Sequence, residues 1–160
     1  MRHEPDLLVV VTTGGRPVDA VPGPIPGNAR LATYLPFECL LPRIDVLVTN
    51  GGYGTVNQAL SYGVPLVTAG LTEDKADVNA CVAWSGVGID LRTNEPTPSA
   101  VRDSVRSVLD HPDFRARAAH MAELLGKIDT RREILRILDR LLTEPRKKDG
   151  RETCKTNVTH

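Results

Sequence analysis

The segment Val46-Leu47-Val48-Thr49-Asn50-Gly51-Gly52-Tyr53-Gly54-Thr55-Val56 joins an apolar run to a glycine-rich turn, and a helical pattern follows it to Leu60. A turn of this kind aims backbone N–H groups and the positive end of a helix at one point, which suits a phosphate. Two more polar turns accompany it, Thr12-Thr13-Gly14-Gly15 and Thr72-Glu73-Asp74-Lys75. Together the three offer N–H groups and hydroxyls for phosphate, and carboxylates for sugar hydroxyls. Known phosphate motifs fit poorly. A P-loop ends in Gly-Lys-Ser/Thr, and no lysine follows Gly54. A dinucleotide fingerprint needs Gly-x-Gly-x-x-Gly, and Asn57 holds the place of the third glycine after Gly52 and Gly54. Taken alone, the loop reads more readily as a tight turn that needs glycine for steric reasons. Three such turns on one rim favour a ligand.

The elements that would position these turns alternate. Leu7 to Val11 is a continuous apolar, β-branched run, expected of a strand covered on both faces. Val18 to Asn28 holds three prolines and two glycines and cannot be a regular helix. Short strands are expected at Ala29–Leu35, Asp45–Thr49, Pro65–Thr68 and Gly86–Asp90, with helical turns at 36–44 and helices at Val56–Tyr62 and Lys75–Trp84. From Thr97 the pattern is helical, with starts at Thr97-Pro98 and Pro112 and a last helix bearing Ile134, Ile137, Leu138, Leu141 and Leu142. Alternating strands and helices imply a parallel sheet, whose ligands bind at the carboxyl ends of the strands. Gly14-Gly15, Asn50–Thr55, Ala69–Asp74 and Asp90–Thr93 all fall there. Residues 1–143 read as one Rossmann-like domain and 144–160 as a disordered tail.

Bulk properties exclude several classes. Twenty basic residues balance twenty acidic ones in 160, so no electrostatic case exists for nucleic acid or an anionic membrane. Cys39, Cys81 and Cys154 are odd in number and widely spaced, which argues against a disulfide framework or a zinc site and for a cytoplasmic protein. No apolar run is long enough for a membrane span. The sequon Asn157-Val158-Thr159 reads as chance without a secretory signal.

The ordered motifs Tyr34-Leu35-Pro36-Phe37 with Leu40-Leu41, Asp45 to Thr55, Ala59-Leu60-Ser61-Tyr62-Gly63-Val64-Pro65-Leu66-Val67 and Glu73-Asp74-Lys75-Ala76-Asp77-Val78-Asn79-Ala80 resemble the donor-binding half of the UDP-glycosyltransferases, glycosyltransferase family 1, most of all its bacterial macrolide-type members. The resemblance covers about Asp6 to Leu142. It implies an α/β fold, the C-terminal half of a GT-B enzyme, with the domain's first strand absent because Asp6–Val10 matches the second. It implies no metal cofactor and a UDP- or dTDP-sugar as donor substrate. By the resemblance Tyr34 stacks on the base and the Phe37 backbone pairs with the base edge. Asn50, Gly52, Gly54, Thr55 and Val56 meet the diphosphate, Gln58 the ribose, and Asp74 and Lys75 the donor sugar; Thr13 and Gly14 join the nucleotide site. Blander readings stand beside these: Tyr34 as a core aromatic, Gln58 as a solvated helix residue, Trp84 as packing, His111 and His120 as surface.

Departures from the family pattern carry consequences. Asn50 replaces a histidine, Gln58 a glutamate and Lys75 a glutamine. Gln58 accepts with one oxygen where a carboxylate has two, which weakens the ribose grip and hints at deoxyribose donors. Lys75 brings a positive charge that partly compensates for the histidine. Inverting glycosyl transfer needs a base to take the acceptor proton, and in the family that base belongs to the acceptor domain. His3, His111, His120 and His160 have no such setting, so no catalytic residue is assigned to this chain. Three readings follow: the donor-binding part of a hexosyltransferase, the donor subunit of a split enzyme that pairs with an acceptor-domain chain, or a non-catalytic nucleotide-sugar-binding or regulatory module. The apolar stripe on the last helix would then support a homodimer.

Overall fold

The computed structural model describes residues 4–143. The tail at 144–160, with Cys154, the sequon and His160, lies outside the described residues, as does His3. The chain divides into two compact units, Met1–Lys127 and Ile128–His160.

Among its described residues the first unit carries five strands and five α-helices: β1 (Val9–Thr12), β2 (Ala29–Ala32), α1 (Phe37–Leu40), β3 (Leu47–Thr49), α2 (Tyr53–Ser61), β4 (Leu66–Thr68), α3 (Lys75–Ser85), β5 (Gly88–Asp90), α4 (Pro98–Asp110) and α5 (Pro112–Gly126). A single 3-10 turn at Val18–Ala20 interrupts the Pro/Gly-rich segment, and another at Leu41–Arg43 extends α1. α4 starts as its sequence suggests. Thr97 caps it, its Oγ1 accepting from Ala100 N at 3.2 Å, and Pro98 takes the first helical position.

All pairing is parallel, but the strands form two sheets, β1-β2 and β3-β4-β5, where alternation alone suggested one. β4 is the centre of the larger sheet and is buried throughout. Successive side chains of a strand face opposite ways, so Leu66 enters one core cluster and Val67 the other. Leu66 packs with Leu41, Val56, Ala59, Leu60, Val64, Val82, Val87 and Ala118. Val67 packs with Val105 and Val108. On α2 the buried residues are Val56, Ala59 and Leu60, the spacing of one helical face.

β1 corrects the expectation of a strand covered on both faces: Leu8 is 69% and Val10 38% exposed. Val48 of β3 is likewise 46% exposed. Each of these two strands pairs along one edge only, so its apolar residues lack the cover that a neighbour on the other side would give. The strands nevertheless start on common ground, because Leu7 and Val46 pack against the same Val67–Val105–Val108 cluster. Just before β1, Arg106 of α4 holds Glu4 and Asp6.

The second unit contains α6 (Thr130–Thr143). Its Ile134, Leu135, Ile137, Leu138, Leu141 and Leu142 are exposed, and Arg136 pairs with Glu133 one turn back. Among the described residues no helix is long and apolar enough to cross a membrane, and no three potential ligands gather as a metal site.

Candidate functional site

The turn after β3 leads into α2 earlier than the sequence pattern suggests. The helix begins at Tyr53 with Gly52 as N-cap, so Tyr53, Gly54 and Thr55 form its first turn. Val56 is the first residue to bond into the helix, its N–H donating to Gly52 O at 3.0 Å. The N–H groups of Tyr53, Gly54 and Thr55 therefore have no intrahelical acceptor. The macrodipole adds partial positive charge at the same point. Asn50 turns back over the loop, and its Oδ1 accepts from Gly52 N at 3.3 Å. Asn57, at the place of the missing third glycine, donates from Nδ2 to Tyr53 O at 2.9 Å and so braces the first turn.

This loop is locked to the one after β4. Ala69 N donates to Thr49 O at 3.0 Å. Asn79 of α3 is fully buried beneath both loops. Its Nδ2 donates to Gly70 O at 3.0 Å and, at 3.4 Å, to Asn50 O. Neither loop has room for a side chain at the junction. A Cβ on Gly70 would stand 2.4 Å from Asn50 O, and Gly51 has φ 86° with its Cβ direction filled by Asn79. A third rim segment joins through Asn94, whose Oδ1 accepts from Leu71 N at 2.7 Å.

Asp74 is the exposed N-cap of α3, and its carboxylate makes no side-chain cap bond. Lys75 follows. Its stem lies 3.2 Å from the Gly70 Cβ direction, and its ammonium pairs with Glu73. The Lys75 side chain is only 15% exposed. The hydrogen bond from Lys75 holds the Glu73 carboxyl below its ordinary value, the nearby positive charge adding to the effect. The charge expected to compensate for the missing histidine is thus already partnered by Glu73.

The remaining site residues gather around the β2–α1 connection. The Thr13–Gly15 turn is fixed to it by Gly15 N, which donates to Thr33 O at 2.7 Å, while the Thr13 hydroxyl donates to Arg16 O. Next to Thr33, Tyr34 is 70% exposed, which removes the reading of a core aromatic and leaves its ring free to stack. Phe37 packs against the Leu41–Leu66 cluster, fixing α1. Gln58 is half-buried, with Nε2 3.5 Å from Glu38 Oε1. No hydrogen bond among the described residues joins the Thr13–Gly15 turn to the Asn50–Thr55 loop. Two concave regions lie elsewhere, along Pro24–Asn28, one of about 690 Å³ beside Pro5 and one of about 320 Å³ against Val9, Val11 and Leu31.

A family model described as "Erythromycin biosynthesis protein CIII-like, C-terminal domain" matches residues 4–141. The chain belongs to this family. The EryCIII-like domain corresponds to the C-terminal region of glycosyltransferase family 1, as the sequence motifs imply. It is 48% identical over 118 residues to 4'-demethylrebeccamycin synthase of Lentzea aerocolonigenes, covering 74% of this chain and 27% of that protein. Against UDP-glycosyltransferase 2 of Phaeomoniella chlamydospora it is 43% identical over 117 residues, 73% of this chain and 26% of that one. The chain therefore spans about a quarter of the curated relatives it matches. Among solved structures, the calicheamicin glycosyltransferase CalG4 superposes with TM-score 0.72 at 29% identity, over 84% of this chain and 36% of that one. The spinosyn rhamnosyltransferase SpnG, solved with thymidine diphosphate, gives TM-score 0.71 at 25% identity, over 81% and 35%. The α/β fold with parallel strands is that of the C-terminal portion of GT-B glycosyltransferases.

Sequence reasoning passed over three rim residues of the EryCIII-like domain: Asn79, Asn94 and Glu38. Asn79 lies within the Glu73–Ala80 motif but has no role assigned there, Asn94 lies outside the motifs, and both hold loops by hydrogen bonds; Glu38 shows itself only through its closeness to Gln58. Trp84, read as packing, is 89% exposed on α3. His111 and His120 are on the surface, the former with Nδ1 2.7 Å from Ser107 O and the latter 3.8 Å from Glu123 on α5.

Proposed function

We propose that this EryCIII-like domain binds the nucleoside diphosphate of a UDP- or dTDP-hexose and serves as the donor half of an inverting glycosyltransferase. The observation that carries the reading is the first turn of α2, where the N–H groups of Tyr53, Gly54 and Thr55 have no helical partners. In transfer, the acceptor oxygen attacks the anomeric carbon and the diphosphate departs with the bonding electrons. Charge grows on that diphosphate, and preorganised N–H donors stabilise it as it grows. Asp74 faces the donor sugar, and Tyr34 carries the base. The base that takes the acceptor proton comes from an acceptor domain, in the same polypeptide or in a partner chain, because His111 and His120 are committed to helix surfaces. The chemistry needs no metal, and the setting is cytoplasmic.

The two-sheet arrangement supports a further part of the reading, that a Rossmann-like sheet lacks its first strand here. That strand would lie between β1 and β3. Hydrogen exchange tests this: the outward amides of β1 and β3 exchange quickly while those of β4 are protected, and equal protection in all three strands refutes it.

Calorimetric titration with UDP and with dTDP tests donor binding; saturable heats are expected for at least one. Adding the acceptor domain of a related enzyme then distinguishes a catalytic half from a regulatory module. Transfer in the mixture supports the first. Nucleotide binding without transfer in every pairing supports the second.

A further inference from the structure

Glu38 and Gln58 come from different elements, α1 and α2, yet their side chains meet at 3.5 Å. At that length the contact records closeness rather than a strong bond. Its importance is chemical. Gln58 has one acceptor oxygen, and its amide N–H side is turned toward Glu38. Glu38 adds two anionic oxygens, is exposed, and has no basic partner among the described residues. An exposed carboxylate held at one side by an amide donor and open at the other suits a pair of neighbouring hydroxyls, each donating to one oxygen.

The pair's location says which hydroxyls. Tyr34 opens the connection that leads into α1, and Glu38 follows Phe37 in the first turn of that helix. On α2, Gln58 stands three and four residues after Thr55 and Gly54, so it lies on the same face as the first turn. A nucleoside diphosphate with its base on Tyr34 and its phosphates at the start of α2 would carry its ribose past the junction of α1 and α2.

We propose that Glu38 is a ligand-binding residue whose carboxylate takes the ribose hydroxyls of the bound nucleotide, with Gln58 as its positioning residue. The proposal rests on the donor-binding reading above. It also revises the weakened ribose grip that Gln58 alone would imply, since the carboxylate is supplied from α1 instead of α2.

The test is calorimetric titration of the full chain with UDP and dTDP in four forms: wild type, Glu38→Gln, Gln58→Glu and the double exchange. Glu38→Gln should weaken UDP binding about tenfold, the size expected for a lost hydrogen bond to a charged group. It should weaken dTDP binding less, because the deoxyribose has one hydroxyl fewer to lose. The double exchange moves the carboxylate to α2 and should recover most of the UDP affinity. Gln58→Glu alone sets two carboxylates side by side and should bring no gain, by repulsion. Unchanged melting of Glu38→Gln, a surface variant, keeps the affinities comparable. If wild type binds UDP and Glu38→Gln binds it equally well, the proposal is overturned. A double exchange as weak as Glu38→Gln overturns it too, because the loss would not follow the carboxylate. If wild type binds neither nucleotide, the donor-binding reading itself fails and takes this proposal with it.

Discussion

A Cβ placed on Gly51 would stand 1.6 Å from Oδ1 of Asn79. The glycine of the loop and the asparagine of α3 are thus two sides of one packing contact, with φ 86° at Gly51 adding a second reason for glycine. The Oδ1 of Asn79 has no donor among the described residues, while its Nδ2 serves Gly70 O and Asn50 O. Gly51→Ala should destabilise by about 3 kcal/mol, combining a clash with a left-handed backbone. Asn79→Ala should cost about 1–3 kcal/mol, because two loop carbonyls lose their donor. The two losses should not add: with Asn79 truncated, the methyl group at 51 has space, and only the backbone strain remains. A urea double-mutant cycle reads the coupling directly. Full additivity would show that the contact does not hold the loop.

Lys75 and Glu73 lead to an affinity prediction. With its ammonium on Glu73, Lys75 gives the diphosphate site less positive field than its charge alone suggests. Glu73→Gln should release it and tighten dTDP binding about two- to fivefold, and Lys75→Ala should weaken binding by a similar factor, the scale of exposed ion pairs. Both effects should shrink as salt is raised. Equal affinity in wild type and Lys75→Ala would remove the lysine from the site. The Glu73 carboxyl is held below its ordinary value of 4.5, so the pair persists through neutral pH and the Glu73→Gln gain should fade only in acid, where wild-type Glu73 also loses its charge.

Much of this site is visible in the chain before any coordinates. Strand, glycine turn and helix at 46–60 announce themselves because the apolar period changes from continuous to helical across Gly51–Gly54. Their boundary moves by three residues, since Tyr53, Gly54 and Thr55 are weak helix formers that nonetheless occupy the first turn under Gly52. The exposure of Val10 and Val48 is not legible: an apolar strand looks the same whether its neighbour is present or absent. Asn79 also escapes, because a buried amide inside a helix has no spacing signature. Its role appears only when the loops after β3 and β4 are brought over it. Trp84 shows the converse, a residue whose size suggests a core and whose place on α3 faces solvent.

The entry to β1 provides a pH test. Arg106 on α4 donates from Nη1 to Asp6 Oδ2 at 2.7 Å and from Nε to Glu4 Oε2 at 2.7 Å. The hydrogen bond from Arg106 holds the Asp6 carboxyl below its ordinary value of 3.8, and Arg106 itself is raised. Because the folded value is depressed, the stabilisation is present above pH 3.8 and is lost as pH falls through the folded value. Arg106→Ala should therefore melt below wild type at neutral pH, and the two curves should converge as acid protonates Asp6. A difference in Tm that stays constant from pH 7 to pH 2.5 would show that Arg106 acts through packing of its stem rather than through its charge.

α6 carries the last prediction. Ile134, Leu138 and Leu141 recur at four and three residues and are 53%, 48% and 67% exposed. Such a stripe is the seam of a helical pair, while Glu133 and Arg136 occupy its flank and pair with each other. A second copy of the chain can cover the stripe with the same stripe, an arrangement that two-fold symmetry closes. Sedimentation should then show a monomer–dimer equilibrium that shifts with concentration. Leu138→Glu would place a charge in the seam opposite its own symmetry mate and should leave a monomer, with nucleotide affinity unchanged. A wild-type chain that stays monomeric at millimolar concentration would assign the stripe to another partner, and an acceptor domain titrated against it would then be the surface to test.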